Sequence, residues 1–309
     1  MVPDATFTSY YGRPVVKASP WKNDIPAYFF LGGIGAGSAL LAAGADLTGR
    51  RELRRVMRIG ALAGATAGTA ALIHDLGKPS RFLNMLRVAK PTSPMSVGTW
   101  VLVAFGSTAG IAATAELVSP LPRTLQTVAR PMTLFARPAG FAAALLAPVL
   151  ASYTGVLLAD TATPGWHAAR LELPFVFAGS AAMAAGGLGM VGTSLTESGP
   201  ARRLAIGGVL LELVAERRME HSMGISVETI RTGRARVLMG SSRALAVLGL
   251  IGAVAFGRRS RALSLLSGGA LVAASALSRF GIFEAGQQSA RDPRYTVVPQ
   301  RERLEQRAP

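Results

Sequence analysis

The feature that most constrains the fold of this chain is a series of long apolar segments separated by short basic turns. The segments lie at about residues 26–47, 56–76, 95–118, 139–160, 171–195, 204–213, 237–256 and 263–277. A helix needs about 20 mainly apolar residues to cross a bilayer. Only 16% of the residues are charged, whereas about 25% are charged in a typical soluble domain. The sequence therefore predicts an all-α integral membrane protein with eight transmembrane helices.

The sixth segment leaves two interpretations open. Its apolar part, Leu204 to Leu213, is short and already contains Glu212. Further charges follow at Glu216, Arg217, Arg218 and Glu220. The segment is either a short span that continues as a charged amphipathic helix to about Thr232, or an interfacial helix that does not cross. Eight crossings would place both termini on the same side of the membrane.

Polar segments flank the apolar part of the chain. Residues 1–25 lack the pattern of a cleavable signal peptide, and we interpret them as an ordered or partner-bound N-terminal segment. Residues 26–278 form the predicted transmembrane domain. Residues 279–309 are polar and rich in arginine, and we predict that this C-terminal tail binds a partner protein.

The charge balance indicates a membrane surface, and not a nucleic acid, as the electrostatic partner. The 33 Lys and Arg against 17 Asp and Glu give a net charge of +16, but most basic residues lie in clusters between apolar segments. Such clusters are typical of positive-inside topology and of contact with lipid headgroups. The short connections opposite the termini are almost purely basic, which favours the cytoplasm for them and the outside of a prokaryotic cytoplasmic membrane for the termini.

Residue counts exclude several cofactors. The chain has no Cys, so it can hold no iron–sulfur cluster through thiolates. Its three His are His74, His167 and His221, whereas two bis-histidine haems need four. We therefore expect neither haem, iron–sulfur cluster nor other metal in this chain. Any electrons that it handles have to come from the cofactors of another subunit.

Antiparallel threading brings polar side chains to one membrane face. Odd-numbered spans begin on that face and even-numbered spans end there, so residues at those ends share one depth. The residues are Asn23, Asp24, Tyr28, His74, Asp75, Tyr153, Asp160, Glu172 and Glu216. Ionisable groups at bilayer depth cost several kcal/mol and usually have a function or a partner.

These residue types suit a quinone, whose two-electron reduction takes up two protons. Tyr153, His74 and Asn23 can donate hydrogen bonds to quinone carbonyls, and Asp75 can transfer protons. Asp160, Glu172 and Glu212 are further candidates for a proton path. The alternative is structural: Asp75 would form a helix-end ion pair with Lys78 and Arg81, His74 would extend towards water, and Tyr153 would be an interfacial aromatic.

Several motifs resemble one membrane-protein family. They are Trp21-Lys22-Asn23, residues 74–82 (HDLGKPSRF), residues 91–95 (PTSPM) with 98–100 (GTW), residues 152–155 (SYTG), and residues 279–286 and 289–296. Together they are similar to the NrfD or polysulfide-reductase membrane subunits, over essentially the whole chain. These subunits are the quinone-binding membrane partners of molybdopterin and iron–sulfur oxidoreductases.

The resemblance implies a bundle of eight spans, in two four-helix-bundle-like halves, with menaquinone or ubiquinone near one face. That face would dock a ferredoxin-like four-cluster iron–sulfur subunit, which serves a molybdopterin or tungstopterin catalytic subunit. Asn23 and Tyr153 match quinone-contacting positions, and Asp75 falls beside an acidic position associated with proton transfer. Some members have a His just after the Asn where this chain has Pro26, so His74 or Tyr28 would have to replace that donor.

The leading expectation is therefore a membrane anchor that exchanges electrons between an iron–sulfur subunit and a quinone, with proton uptake or release. One alternative is an ion, proton or solute transport module that uses Glu212, Asp75 and Glu216. Another is a purely structural anchor with a degenerate site. The substrate of the catalytic partner, such as formate, polysulfide or thiosulfate, is chosen in another chain.

Overall fold

A computed structural model describes residues 14–118 and 122–306 of the chain. The α-helices in this part are α1 (Asp24–Leu47), α2 (Arg51–Asp75), α3 (Ser80–Met85), α4 (Pro94–Val118), α5 (Arg123–Ala159), α6 (Pro164–Ala168), α7 (Leu173–Gly192), α8 (Gly199–Ser222), α9 (Glu228–Arg231), α10 (Gly233–Ala255), α11 (Arg261–Arg291) and α12 (Arg294–Glu305). A 3-10 turn, Gly224–Val227, precedes α9. The described residues contain no β-strand, so the predicted all-α class is confirmed.

Seven of these helices are long and apolar enough to cross a membrane: α1, α2, α4, residues 133–159 of α5, α7, α10 and α11. The protein is therefore a multi-pass membrane protein. The more charged α8 is not among the seven, although its 24 residues extend about 36 Å at 1.5 Å per residue. The eighth predicted crossing thus depends on α8, in which the apolar segment continues without a break into the charged segment as far as Ser222.

Glycines on neighbouring helices allow the backbones to touch. A Cβ atom added to Gly64 of α2 would lie 2.7 Å from the Leu31 carbonyl oxygen of α1. A Cβ atom on Gly179 of α7 would lie 2.7 Å from the backbone nitrogen of Glu212 on α8. Small residues at such contacts are typical of helix pairs in membranes, where dispersion and not water exclusion drives packing. The second contact places Glu212 directly against α7.

The first helix is the central one. α1 packs against α2, α5, α7 and α11. Of its 18-residue apolar window, 78% is buried, compared with 28% for α10. Its buried positions include Gly33 and Gly37, and a Cβ atom on Gly37 would lie 2.6 Å from the Ala185 Cβ of α7. The side chains of α1 therefore face protein on most of the helix circumference.

The longer connections lie at one end of the bundle, which we call the loop-bearing face. It carries α3, α6, the 3-10 turn with α9, and α12. The side-chain nitrogen of Gln287, near the end of α11, donates to the backbone oxygens of Ser19 at 3.0 Å and Trp21 at 3.2 Å. The N-terminal segment and the end of α11 therefore meet at this face. The opposite face carries short connections such as residues 48–50 and 193–198.

Two helices extend beyond the predicted spans. The fourth predicted span begins at residue 139, but α5 begins at Arg123 and continues unbroken through Pro148. The eighth predicted span ends at residue 277, but α11 continues to Arg291. The part of α11 beyond residue 277 stays helical because Ile282, Phe283 and several small residues of this part are buried against the bundle. Residues 279–291 of the predicted tail are thus part of a long helix; the last three residues of the chain lie outside the described part.

Candidate functional site

A small, mainly apolar cavity lies beneath the loop-bearing face, among α1, α2, α4 and α5. Its volume is about 60 Å³. The residues that line it are Trp21, Ile25, Tyr28, Phe29, Leu72, Asp75, Leu76, Met85, Met95, Thr99, Tyr153 and Leu157. Three predicted site residues, Tyr28, Asp75 and Tyr153, therefore line one cavity although they come from three different helices.

Glycines on neighbouring helices hold the two tyrosine rings in place. A Cβ atom on Gly98 of α4 would fall 2.0 Å from Cε2 of Tyr153, so the ring occupies the space of a missing side chain. Tyr28 is only 2% exposed, and its ring lies 3.5 Å from the Cβ position of Gly68 on α2. Within the described residues neither phenol hydroxyl has a hydrogen-bond partner. Both hydroxyls can therefore donate to a ligand.

Asp75 ends α2 at the edge of the cavity. Its Oδ1 accepts a long hydrogen bond, 3.4 Å, from the backbone nitrogen of Lys22. In the described part of the chain it forms no ion pair with Lys78 or Arg81; the Arg81 guanidinium donates instead to the Leu76 carbonyl at 3.0 Å. The structural alternative for this carboxylate, a helix-end ion pair, is therefore not formed.

The structure places two other predicted donors outside the cavity lining. The His74 side chain is 80% exposed, and its Nδ1 lies 3.0 Å from Oδ2 of Asp24. Asn23 is exposed at the start of α1 and makes no side-chain cap hydrogen bond. Both residues lie at the rim of the loop-bearing face, beside the cavity but not on its wall.

The remaining predicted acids are dispersed. Asp160 is exposed at the end of α5. Glu172 precedes α7, and its Oε2 is buried without a hydrogen-bond partner among the described residues. Neither residue lines the cavity, so the structure does not join them to Asp75.

Glu212 lies inside the bundle, where α7, α8 and α11 meet. It is 3% exposed, and its charged neighbours include Arg279 of α11, which is 1% exposed. The Arg279 guanidinium stacks on the Phe177 ring, 3.8 Å from its centroid, and donates to the Phe177 carbonyl oxygen at 2.6 Å. Both carboxylate oxygens of Glu212, and Nε and Nη1 of Arg279, form no close hydrogen bond among the described residues, although the hydroxyl groups of Ser180 and Ser278 lie beside Glu212. Buried charges with incomplete partners are costly and are rarely retained without a function.

Further charges continue from Glu212 towards the loop-bearing face. Glu216, one turn along α8, is 2% exposed, and its Oε2 lies 2.8 Å from Nε of Arg243 on α10. Arg243 also pairs with Glu220, which binds Arg231 of α9 at 2.9 Å. Sequence analysis identified Glu212 as a proton-path candidate and Glu216 as a residue of this membrane face, but it did not predict their arginine neighbours, which come from other helices.

A second buried ion pair, which the sequence analysis did not predict, lies at the opposite face. Arg58 of α2 and Glu116 of α4 are each 6% exposed, and Nη1 of Arg58 lies 3.1 Å from Oε1 of Glu116. Arg54 bridges Glu116 and Asp46, and Arg137 of α5 binds Asp46 at 2.9 Å. The signal in the sequence was one Arg and one Glu, each inside an apolar segment. The network ties four helices together far from the cavity.

Comparison with known proteins agrees with this architecture. The family model described as "Polysulphide reductase, NrfD" matches residues 15–289. This range begins in the N-terminal segment that contacts α11 and ends near the last turn of α11. No curated protein matches the chain.

Proposed function

Since the chain belongs to the NrfD (polysulphide reductase) family of membrane proteins, we propose that it is the quinone-binding membrane anchor of a multisubunit oxidoreductase. In this proposal the subunit exchanges electrons between an iron–sulfur partner and menaquinone or ubiquinone. The proposal makes the chain a site of quinone chemistry and leaves conversion of the final substrate to another subunit.

The observation that carries the proposal is the pair of unpartnered phenol hydroxyls beside one carboxylate. Tyr28 and Tyr153 offer two hydrogen-bond donors in a mainly apolar cavity, and a quinone presents two carbonyl acceptors at the ends of an apolar ring. Asp75 on the same wall can accept or donate the accompanying protons. Reduction of the bound quinone by two electrons and two protons gives the quinol, and the reverse reaction returns them.

The cavity has to widen to admit a quinone ring. Its volume is about 60 Å³, whereas an apolar cavity that holds benzene measures about 150 Å³. Met85 of α3 and Met95 at the start of α4 lie on its wall, and methionine side chains rearrange easily. We infer that these two side chains move aside when a quinone enters.

We place the partner proteins at the loop-bearing face. The cavity lies directly beneath this face, so a terminal iron–sulfur cluster docked there would be close to the quinone. The partner we propose is a ferredoxin-like four-cluster subunit, together with a molybdopterin or tungstopterin catalytic subunit. Because the connections at the opposite face are basic, we propose that the opposite face lies on the cytoplasmic side of the membrane and the loop-bearing face on the extracytoplasmic side.

The proposal is tested on the complex purified by a tag on this chain in mild detergent. We expect mass spectrometry to find an iron–sulfur protein and solvent extraction to recover quinone. The double variant Tyr153→Phe with Asp75→Asn should assemble but lose most quinone-linked turnover. The control is Thr108→Val, which removes a hydroxyl group from the middle of α4, outside the cavity lining and away from the loop-bearing face. Unchanged turnover of the double variant would remove the cavity from consideration as the quinone site.

The unpaired carboxylate of Glu212 also favours a second candidate, an ion or proton transport module. Transport would not require a redox partner. The isolated chain, reconstituted into vesicles that contain a pH-sensitive dye, should then carry protons across the bilayer in response to a pH gradient. The anchor proposal expects no such flux from the chain alone.

A further inference from the structure

Three glutamates form a stripe along one side of α8. Glu212, Glu216 and Glu220 are spaced by four residues, which places them on one helix face, about 6 Å apart along the axis. Glu212 and Glu216 are 3% and 2% exposed, and the side chain of Glu220 is 17% exposed. We call these residues the glutamate stripe. Glu212 and Glu216 are thus almost fully buried, and Glu220, nearest the loop-bearing face, is the most exposed of the three.

Arginines from three other helices accompany the stripe. Arg279 of α11 lies next to Glu212, Arg243 of α10 binds Glu216 and Glu220, and Arg231 of α9 binds Glu220. A guanidinium group stays protonated in proteins, so these arginines hold the carboxylates in place and do not carry protons. The groups that can gain and lose protons along this line are the three carboxyl groups.

A groove between α8 and α10 connects the middle of the stripe with the surface of the protein. Its volume is about 520 Å³, and it is lined by Leu210, Leu213, Val214, Glu216, Arg217, Glu220, Arg243 and Val247. Glu216 thus touches an open groove, although almost none of its surface is exposed. Glu212 lies one helical turn further inside. Leucine and valine side chains line the inner part of the groove, and Arg217 and Glu220 line the end nearest the loop-bearing face. Water at that end can bridge Glu216 and Glu220.

The stripe reaches only one face of the bundle. Between its start at Gly199 and Glu212, α8 carries no acidic residue. The space on that side is filled by a cluster of buried apolar residues that includes Met183, Val209 and Leu271. The buried hydroxyl groups on that side carry no charge. Ser242 and Ser267 donate to backbone carbonyls, Ser180 and Ser275 share a hydrogen bond, and Ser264 has no partner among the described residues. The charged line therefore ends at Glu212 and Arg279.

We propose that the glutamate stripe is a one-sided proton-exchange route that connects buried Glu212 with water at the loop-bearing face. In each step the O–H bond of one protonated carboxyl group breaks, and an O–H bond forms on the next carboxylate, directly or through a water molecule. Each passage moves one proton to or from Glu212.

The inner end of the route lies one layer below the candidate quinone cavity. A Cβ atom on Gly33 of α1 would lie 3.2 Å from Nη2 of Arg279, and Phe29, one turn nearer the loop-bearing face, lines the cavity. The Phe29 and Phe177 rings stand between them, with centroids 5.9 Å apart. Any coupling of this route to a quinone rests on the proposed function; the exchange route itself does not.

The route is tested by infrared spectroscopy of the purified full-length chain between about pH 5 and about pH 10, a range that covers raised carboxyl pKa values. The carboxyl signal of Glu212 is the one that disappears in Glu212→Gln. We expect this signal to change with pH, and to exchange at least about 10-fold more slowly in Glu216→Gln than in the unsubstituted chain. Glu305→Gln, which changes an exposed carboxylate on α12, is the matched control.

Two results would overturn the route. One is a Glu212 signal that does not respond to pH, and the other is unchanged exchange in Glu216→Gln. If Glu216→Gln does not fold, Glu216→Asp keeps the carboxyl group but shortens it, and slower exchange is expected there as well. Proton flux across vesicles by the chain alone would refute the one-sided geometry. None of these measurements needs a quinone, so their failure would leave the quinone proposal standing, and absence of quinone from the complex would leave the route standing.

Discussion

The ring of Tyr153 occupies the space that a side chain at Gly98 would need. A Cβ atom at position 98 would fall 2.0 Å from Cε2 and 2.7 Å from Cδ2 of the ring. Because the ring is enclosed between α4 and α5, it cannot move away without disturbing the wall of the cavity. A small residue on one helix thus fixes the position of a hydrogen-bond donor on the next.

Gly98→Ala should therefore displace the Tyr153 ring. We expect a loss of stability of about 1–3 kcal/mol, the usual cost of overpacking, and a marked loss of quinone from the purified complex. The control is Gly106→Ala on the same helix, where an added Cβ atom meets nothing within 4 Å. Thermal unfolding in detergent and quinone extraction measure both effects. Equal behaviour of the two variants would contradict the role of Gly98.

Substitutions of the neighbouring residues His74 and Asp75 should have very different effects on quinone-linked turnover. Asp75→Asn removes the carboxylate on the cavity wall and should lower quinone-linked turnover by about 100-fold or more, as loss of a general acid or base does. His74→Gln changes a side chain that is 80% exposed and contacts Asp24, and should leave turnover nearly unchanged. Steady-state assays of the two purified complexes decide the matter. A large loss of turnover in His74→Gln but not in Asp75→Asn would indicate that the proton donor lies at the rim of the loop-bearing face.

Substitutions of Arg279 and Glu212 should have coupled effects on the stability of the protein. Arg279→Leu leaves a carboxylate buried without its nearby cation, and removal of one member of a buried pair costs about 3–5 kcal/mol. Glu212→Leu added to Arg279→Leu should recover most of that loss. Thermal unfolding in detergent gives the values for the single and double variants. Arg218→Leu, an exposed position on α8, serves as control, and strictly additive losses would show that the two groups do not interact.

The ion pairs of the network at the opposite face should contribute unequally to the stability of the protein. Glu116→Gln leaves Arg58 buried beside a neutral amide, and we expect a loss of about 3 kcal/mol or more. Arg137→Gln removes an ion pair whose arginine is 67% exposed, and should cost at most about 1 kcal/mol. Thermal unfolding of the two variants compares them directly. Quinone content should stay normal in Arg137→Gln, because the network lies far from the cavity.

Threading of apolar segments predicts depth in the membrane but not direction around a helix axis. Depth alone was enough to group Tyr28, Asp75 and Tyr153, which do line one cavity. The rotation of α2 about its axis turns Leu72 and Asp75 towards the cavity and leaves the His74 side chain exposed. This rotation is set by glycine contacts between helices, such as Gly68 with Tyr28, and a single sequence does not reveal which glycines meet.

Charged helices were harder to predict for a related reason. The charges of α8 make it resemble a surface helix when it is considered alone. Its partners, Arg243 and Arg279, come from helices that follow later in the chain. The same holds for Arg58 and Glu116, which are 58 residues apart. Complementary charges on separate spans become visible only when the helix neighbours are known.

The central place of α1 has a consequence for biosynthesis. This helix leaves the ribosome before the others, yet α7 and α11, which cover much of its glycine-rich surface, are made more than a hundred residues later. During that interval α1 has α2 as its main companion, and lipid has to fill the place of the missing helices. The membrane therefore protects the future interior of the bundle until α11 has been made, and assembly proceeds around a helix that precedes its partners in the chain.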